Sequence, residues 1–176
     1  MNREAMLDRL FARYQIDDLL ARYCQAIDRC DMDGLKAVYW PDAVDNHGVF
    51  NGNALEFAEF VIPGLQALTR TMHLIANCVI AFDDDDNAHG ETYVVAFHEV
   101  PGEPCATDAI VGGRYLDRFQ RRDGEWRILD RTYVMDWNQN QRTTAEWSSW
   151  LYSALDVRGG RFPDDPAFAM FGRRGQ

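Results

Sequence analysis

The 176-residue chain has no apolar run approaching the roughly 20 residues that a membrane-spanning helix requires. Its N-terminus, Met1-Asn-Arg-Glu-Ala-Met-Leu-Asp8, has no long apolar segment of the kind that a secretory signal carries. Positive charge is scarce: 18 Lys and Arg stand against 28 Asp and Glu, a formal net charge of -10. Nucleic acids and anionic membranes are poor partners for such a chain, because both need a basic footprint. The four cysteines, at 24, 30, 78 and 105, form no Cys-x-x-Cys pair, which argues against a zinc knuckle or a redox motif. They read as reduced thiols, and a cytoplasmic location is expected.

Cofactor signatures are equally sparse. The histidines at 47, 73 and 98 lack the tight spacing of an HExxH site. The run Asp83–Asp86 lacks the ligand pattern and terminal glutamate of a calcium loop and reads as a solvated turn. Gly112-Gly113 follows no strand–loop–helix pattern, so it is not a phosphate cradle. The expectation is a protein without metal or cofactor.

What is present is a clear change of period along one domain-sized chain. Ile16, Leu19, Leu20, Tyr23 and Ile27 recur at helical spacing, so residues 4–30 are expected to be helix. A short helix is expected over residues 33–39, ended by Trp40-Pro41 because the residue before proline avoids the α region. Residues 43–50 read as a strand closed by an Asn51-Gly52 turn. Residues 54–68 read as a helix interrupted near Pro63-Gly64. Strand patterns follow over 72–82, 88–100, 109–121 and 126–136, the last two joined by Arg122-Asp123-Gly124. Gly112-Gly113 suits a bulge or bend. In the tail, a helix is expected over 144–155 and a loop over 158–166. Helices followed by consecutive antiparallel strands predict an α+β architecture, with helices covering one face of a bent sheet around a single pocket.

Two polar residues stand where the pattern asks for apolar ones. Asp28 extends the Leu20–Cys24 stripe toward the core, and a charged group there needs a partner. His73 opens a strand and, by alternation, shares a face with Ile75, Asn77 and Val79. A carboxylate that orients an imidazole makes a general base near neutral pH. Read singly, each residue fits an ordinary structural role better: Asp28 as a helix-end carboxylate bonded to backbone or an arginine, His73 as a satisfied core histidine. His98 shares a face with Thr92, Val94 and Ala96, while His89 belongs beside a turn. An inward Arg131 could hold an anionic leaving group or a carbonyl oxygen, or simply pair with Asp130, Asp28 or Asp136. Tyr23 and Tyr115 could flank the same pocket or belong to the core.

The pieces Ile16-Asp-Asp-Leu19, Tyr23, Asp28 and Asp31, then Trp40-Pro-Asp-Ala43, Thr71-Met-His73, Gly112-Gly-Arg-Tyr115 and Arg121-Arg-Asp-Gly-Glu-Trp126-Arg-Ile128, in this order, resemble the SnoaL-like branch of the NTF2-like superfamily. The resemblance covers about residues 10–137 and implies a cone-shaped barrel, leaving 138–176 as an extension packed on the barrel or on a neighbouring subunit. It implies an Asp–His dyad at Asp28 and His73, matching the dehydrochlorinases of hexachlorocyclohexane, whose pocket arginine matches Arg131 but whose helix lysine falls at Tyr23. Bile-acid 7α-dehydratases resemble the chain better there, with Tyr, Asp and His at Tyr23, Asp28 and His73. The two histidines of scytalone dehydratases match His73 and His98, whereas their tyrosine falls near His47 and their asparagine at Tyr115. Other family members cleave lignin-derived diaryl compounds with loss of formaldehyde.

These resemblances imply a cofactor-free lyase acting on a small hydrophobic, cyclic or aromatic substrate. His73, Asp28, Tyr23, His98 and Arg131 would be catalytic, and His47, Tyr115, Asn77 and Trp40 would bind substrate. The reaction would be loss of water, of another leaving group, or of an aldehyde. A homo-oligomer is expected. A non-catalytic binding module and an accessory subunit of a ring-hydroxylating oxygenase are the alternatives.

Overall fold

A computed structural model describes residues 2–171. Helix α1 (Arg3–Arg29) starts where the Asn2 side chain accepts from the Ala5 amide and ends where Cys30 turns left-handed. Its inward stripe is the predicted one: Ile16, Leu19, Leu20, Tyr23 and Ile27 are all buried. Burying side chains of this size contributes roughly 1.5–3 kcal/mol each. Asp31, one of the residues carrying the resemblance, caps α2 (Met32–Ala37) by accepting from Gly34 N.

Strand β1 (Tyr39–Asn46) begins earlier than expected and includes Trp40-Pro41. The Asn51-Gly52 pair is not its closing turn. Those residues belong to β2 (Asn51–Asn53), which pairs antiparallel with β1, and the reversal occurs between them, where Gly48 takes a positive φ. Asn53 then caps α3 (Ala54–Gln66), accepting from Leu55 N and Glu56 N. The expected break at Pro63-Gly64 is absent. Helix α3 runs on through Pro63 to Gln66, and the one ladder bond that Pro63 cannot donate, to Glu59 O, is lost without ending the helix.

Strands β3 (Arg70–Phe82), β4 (Asn87–Val100), β5 (Thr107–Arg122) and β6 (Glu125–Arg142) form an antiparallel meander. Asp123 and Gly124 both have positive φ, as a two-residue hairpin requires, so that turn was legible. Strand β1 adds to β6 in parallel, giving the order β2-β1-β6-β5-β4-β3. The sheet is curved and open at its edges, not a closed barrel, and α1 covers its concave face.

The pairing of the sheet slips in four places, between Tyr39 and Val44, Ile75 and Cys78, Gly112 and Gly113, and Arg118 and Phe119, and two of these bear on the site. Between Gly112 and Gly113 the pairing with β6 slips by one residue, placing the bulge where the glycines suggested. Between Ile75 and Cys78 the pairing of β3 with β4 slips as well. The second slip reverses the alternation of β3, so Thr71, His73 and Ile75 face inward, then Cys78, Ile80 and Phe82.

The tail packs back on the same chain. Arg161 donates to the carbonyl oxygens of Asp28, Leu65 and Leu68, and Phe162 N donates to Arg29 O. The helix expected over 144–155 reduces to α4 (Trp150–Ser153), because Trp and Ser are indifferent helix formers and Ser149 makes no capping bond. A last short helix, α5, spans Pro166–Phe171. No described helix is long and apolar enough to cross a membrane.

Candidate functional site

Strand β3 enters the cone beside the C-terminal end of α1, and this brings Asp28 and His73 together. Asp28 Oδ1 lies 2.7 Å from His73 Nδ1, and both carboxylate oxygens accept from the His73 backbone amide at 3.1 and 2.9 Å. An ionised carboxylate only accepts, so Nδ1 carries the hydrogen and Nε2 presents a lone pair. Both side chains keep 8% of their surface exposed. A buried carboxylate that accepts from two donors through three contacts is satisfied, and the imidazole it holds is fixed in tautomer and plane. On the carbonyl side of Asp28, Arg161 from the tail pins the helix end at 2.6 Å.

His98 comes from β4, its ring centre 5.5 Å from that of His73 and nearly perpendicular to it. Burial pushes its pKa down to about 4, and the facing His73 and Arg161 push in the same direction. It is therefore neutral near pH 7, with one ring nitrogen a donor and the other an acceptor.

Deeper in the cone, Arg131 is wholly buried, as its inward position suggested, but its partner is none of those expected. It forms a bidentate pair with Asp117 of β5, at 2.7 and 2.8 Å. Its guanidinium lies 4.1 Å from the centre of the Tyr23 ring and 4.0 Å from that of Tyr115. Burial opposes the cation, yet Asp117 and the surrounding groups hold the Arg131 pKa well above its ordinary value. Arg131 thus positions two tyrosines from behind. Burial raises the hydroxyl pKa of both Tyr23 and Tyr115, so they are neutral donors.

His47, placed among the substrate-binding residues, has a carboxylate partner that sequence reading missed. Its Nδ1 is bonded to Asp45, which is 0% exposed and also accepts the Tyr39 hydroxyl at 2.6 Å. The ring stacks on Phe57 and on Tyr133, and Tyr115 lies 6.0 Å away. Asp45-x-His47 puts both residues on one face of an extended segment, which is the signal that would have found the pair.

Two assignments are corrected. Asn77 was placed beside His73 by unbroken alternation, but the slip after Ile75 turns it outward, where it is exposed. Val79 is turned out with it. Trp40 is buried away from the pocket: its indole donates to Gln120 O, and Arg122 and Arg127 cover its ring. Gln120 is five residues along β5 from Tyr115, or about 17 Å. The three inward histidines do not converge with other donors: no cluster of three His, Cys, Asp or Glu that could hold a metal occurs among the described residues.

Residues 8–132 match a family model described as a SnoaL-like domain. The chain is 28% identical over 128 residues to hexachlorocyclohexane dehydrochlorinase 1 of Sphingobium indicum, covering 69% of this chain and 80% of that one. It superposes on a hexachlorocyclohexane dehydrochlorinase from Novosphingobium barchaimii with a TM-score of 0.71 at 20% identity, over 80% of this chain and 99% of that one. A Novosphingobium aromaticivorans protein provisionally named a scytalone dehydratase gives 0.70 at 20% identity, over 80% and 94% of the two chains. At these identities the superpositions establish the fold.

Proposed function

This chain belongs to the SnoaL-like domain family, and on that premise we propose that it is a cofactor-independent lyase with His73 as general base. The observation that carries the reading is the Asp28–His73 contact, in which one carboxylate holds both the ring and the backbone of the imidazole. Similarity to proteins named dehydrochlorinases and a dehydratase supports the reaction class.

In this reading His73 Nε2 removes a proton from carbon. Imidazole is a weak base, so the carbon must be acidified by a neighbour such as a carbonyl group. Asp28 keeps Nδ1 protonated and stabilises the imidazolium that forms. Tyr23 and Tyr115, neutral and polarised by the guanidinium behind them, supply hydrogen bonds to the developing oxyanion. His98 adds a neutral contact to the bound molecule. The apolar surroundings of these groups, with Tyr115, Tyr133, Phe57 and Ile75 buried or half-buried around them, favour a small hydrophobic cyclic or aromatic substrate. General acid–base help of this kind contributes roughly 10²–10⁴ in rate, and orientation supplies the rest.

A homo-oligomer is part of the proposal. The outer face of the sheet exposes Met72, Leu74, Tyr93, Val95 and Trp137, a contiguous apolar surface of the sort that subunits cover.

The test is turnover of a panel of aryl ketones bearing hydroxyl, acetoxy or halide groups β to the carbonyl. Wild type should convert at least one class, and His73→Ala and Asp28→Asn should each lose about 10²–10⁴ in kcat/KM while remaining folded. Ligand affinity without turnover across the panel would instead identify a binding module.

A further inference from the structure

The cone holds a second carboxylate–imidazole pair, and its surroundings are those of a working group. Asp45 is fully buried, accepts from Tyr39 Oη, and engages His47 Nδ1. A carboxylate accepting from Tyr39 leaves His47 Nδ1 as the second donor, so His47 Nε2 is the nitrogen free to exchange a proton. Phe57, with ring centres 4.5 Å apart and planes 15° apart, covers one neighbouring face. Tyr133, at 5.5 Å and 11°, also stacks on the ring. The imidazole is therefore fixed in plane and tautomer, as His73 is, yet its side chain keeps 17% of its surface exposed.

The two pairs stand on opposite flanks of the sheet. β1 carries Asp45 and the approach to His47, β3 carries His73, and β6, β5 and β4 lie between. From His47 a run of rings leads inward across the sheet, to Tyr115 at 6.0 Å and from Tyr115 to Tyr23 at 5.5 Å, and α1, which carries Tyr23, also carries Asp28.

The other polar groups of the cone are poor proton donors. Burial and the neighbouring His73 hold His98 neutral, with a pKa of about 4. Tyr23 and Tyr115 are buried and keep their protons. Arg131 gives Nε and Nη2 to Asp117, and its guanidinium, held well above its ordinary pKa, does not release a proton. Besides the base His73, His47 is the described residue that combines a buried carboxylate partner with an uncommitted ring nitrogen and an accessible edge.

We propose that Asp45–His47 is a second acid–base centre that protonates an oxygen leaving group, which makes the substrate class a β-hydroxy or β-alkoxy carbonyl compound. This rests on His73 being the base. His73 Nε2 takes the α-proton, the C–H electron pair forms the new C=C bond, and the C–O bond breaks. The departing oxygen takes the Nε2 proton of His47 and leaves as water or an alcohol. His47 is then neutral and His73 is an imidazolium, and one proton passed back through solvent restores both. A halide leaves unaided and would give such a donor nothing to do.

The experiment compares two reactions on related probes. Wash-out of α-deuterium from 4-phenylbutan-2-one deuterated at C3 needs only the base. Dehydration of 4-hydroxy-4-phenylbutan-2-one to its conjugated enone needs base and acid. His47→Gln should lower dehydration by about 10²–10⁴, a loss exceeding its loss on wash-out by roughly tenfold or more. Equal losses in the two reactions would overturn the proposal, as would wild-type wash-out without dehydration. Absence of both in wild type would overturn the base assignment, and the acid role with it. A wild-type measurement covers a variant that fails to fold. The β-hydroxy and β-acetoxy ketones should be eliminated at rates within roughly tenfold of each other, whereas a gap as wide as in buffer contradicts a proton donor.

Discussion

Asp28 binds His73 at both its backbone amide and its ring Nδ1, so one carboxylate sets where the histidine stands and how its imidazole points. Replacing it by an amide offers a donor where two donors already converge. Asp28→Asn should therefore lower kcat by roughly 10²–10⁴ with KM little changed. Steady-state kinetics on any turned-over probe, with circular dichroism as a check of folding, reads the outcome. A fall confined to KM would assign Asp28 to binding.

His98 gives the protein an acid sensitivity with a definite sign. Its pKa is about 4 in the folded state, lowered chiefly by burial, against an ordinary value of 6.5. Between those values the unfolded chain binds the extra proton, so stability present above pH 6.5 is lost as pH falls toward 4. Allowing for partial solvent screening, the loss is of order 1–2 kcal/mol. Urea denaturation at pH 7 and pH 5 should show it in wild type and show less of it in His98→Gln.

How much of this was legible in the sequence depends on whether the controlling contact is local. The α1 stripe, the Asp123-Gly124 turn and the Gly112-Gly113 bulge follow from residue type and spacing, and all three stand where expected. Asp28 and His73 were singled out because each is polar in an apolar pattern. Asn77 failed because alternation was carried through a slip of register that depends on the pairing with β4, which no local feature of β3 announces. Trp40 failed because a strand residue's face is set by its neighbours, here Gln120 O and two arginines. Asp117, the partner of Arg131, stands directly opposite it on the adjacent strand β5, 14 residues away in the chain, and that register is fixed only once the slip between Arg118 and Phe119 is known.

Because Asn77 faces out beyond that slip, Asn77→Ala should leave kcat and KM unchanged and alter stability by no more than about 0.5 kcal/mol. A rise in KM would show that β3 rearranges when substrate binds.

Gly113 is the contrary case. A Cβ there would lie 2.2 Å from Val134 O and 2.8 Å from the Tyr133 ring, and Tyr133 stacks on His47. The backbone oxygen cannot yield cheaply, so Gly113→Ala should cost about 1–3 kcal/mol and lower Tm by several degrees. Its activity loss should fall more heavily on dehydration than on deuterium wash-out. Differential scanning calorimetry and the two-probe assay together check both expectations.

Arg161 joins the tail to the site by donating to three carbonyl oxygens, one of them Asp28 O. Arg161→Ala orphans these acceptors and should destabilise the protein by about 1–3 kcal/mol. Its kcat should fall further than the stability loss alone requires, measured at a temperature where the variant is fully folded.

The most direct test of His73 as a carbon-directed base is the rate at which C3 deuterium washes out of labelled 4-phenylbutan-2-one, followed by proton NMR at neutral pH. The account expects enzyme-dependent exchange in wild type, loss of about 10²–10⁴ in His73→Ala, and a comparable loss in Asp28→Asn. Exchange that survives the removal of His73 in a folded protein would contradict it.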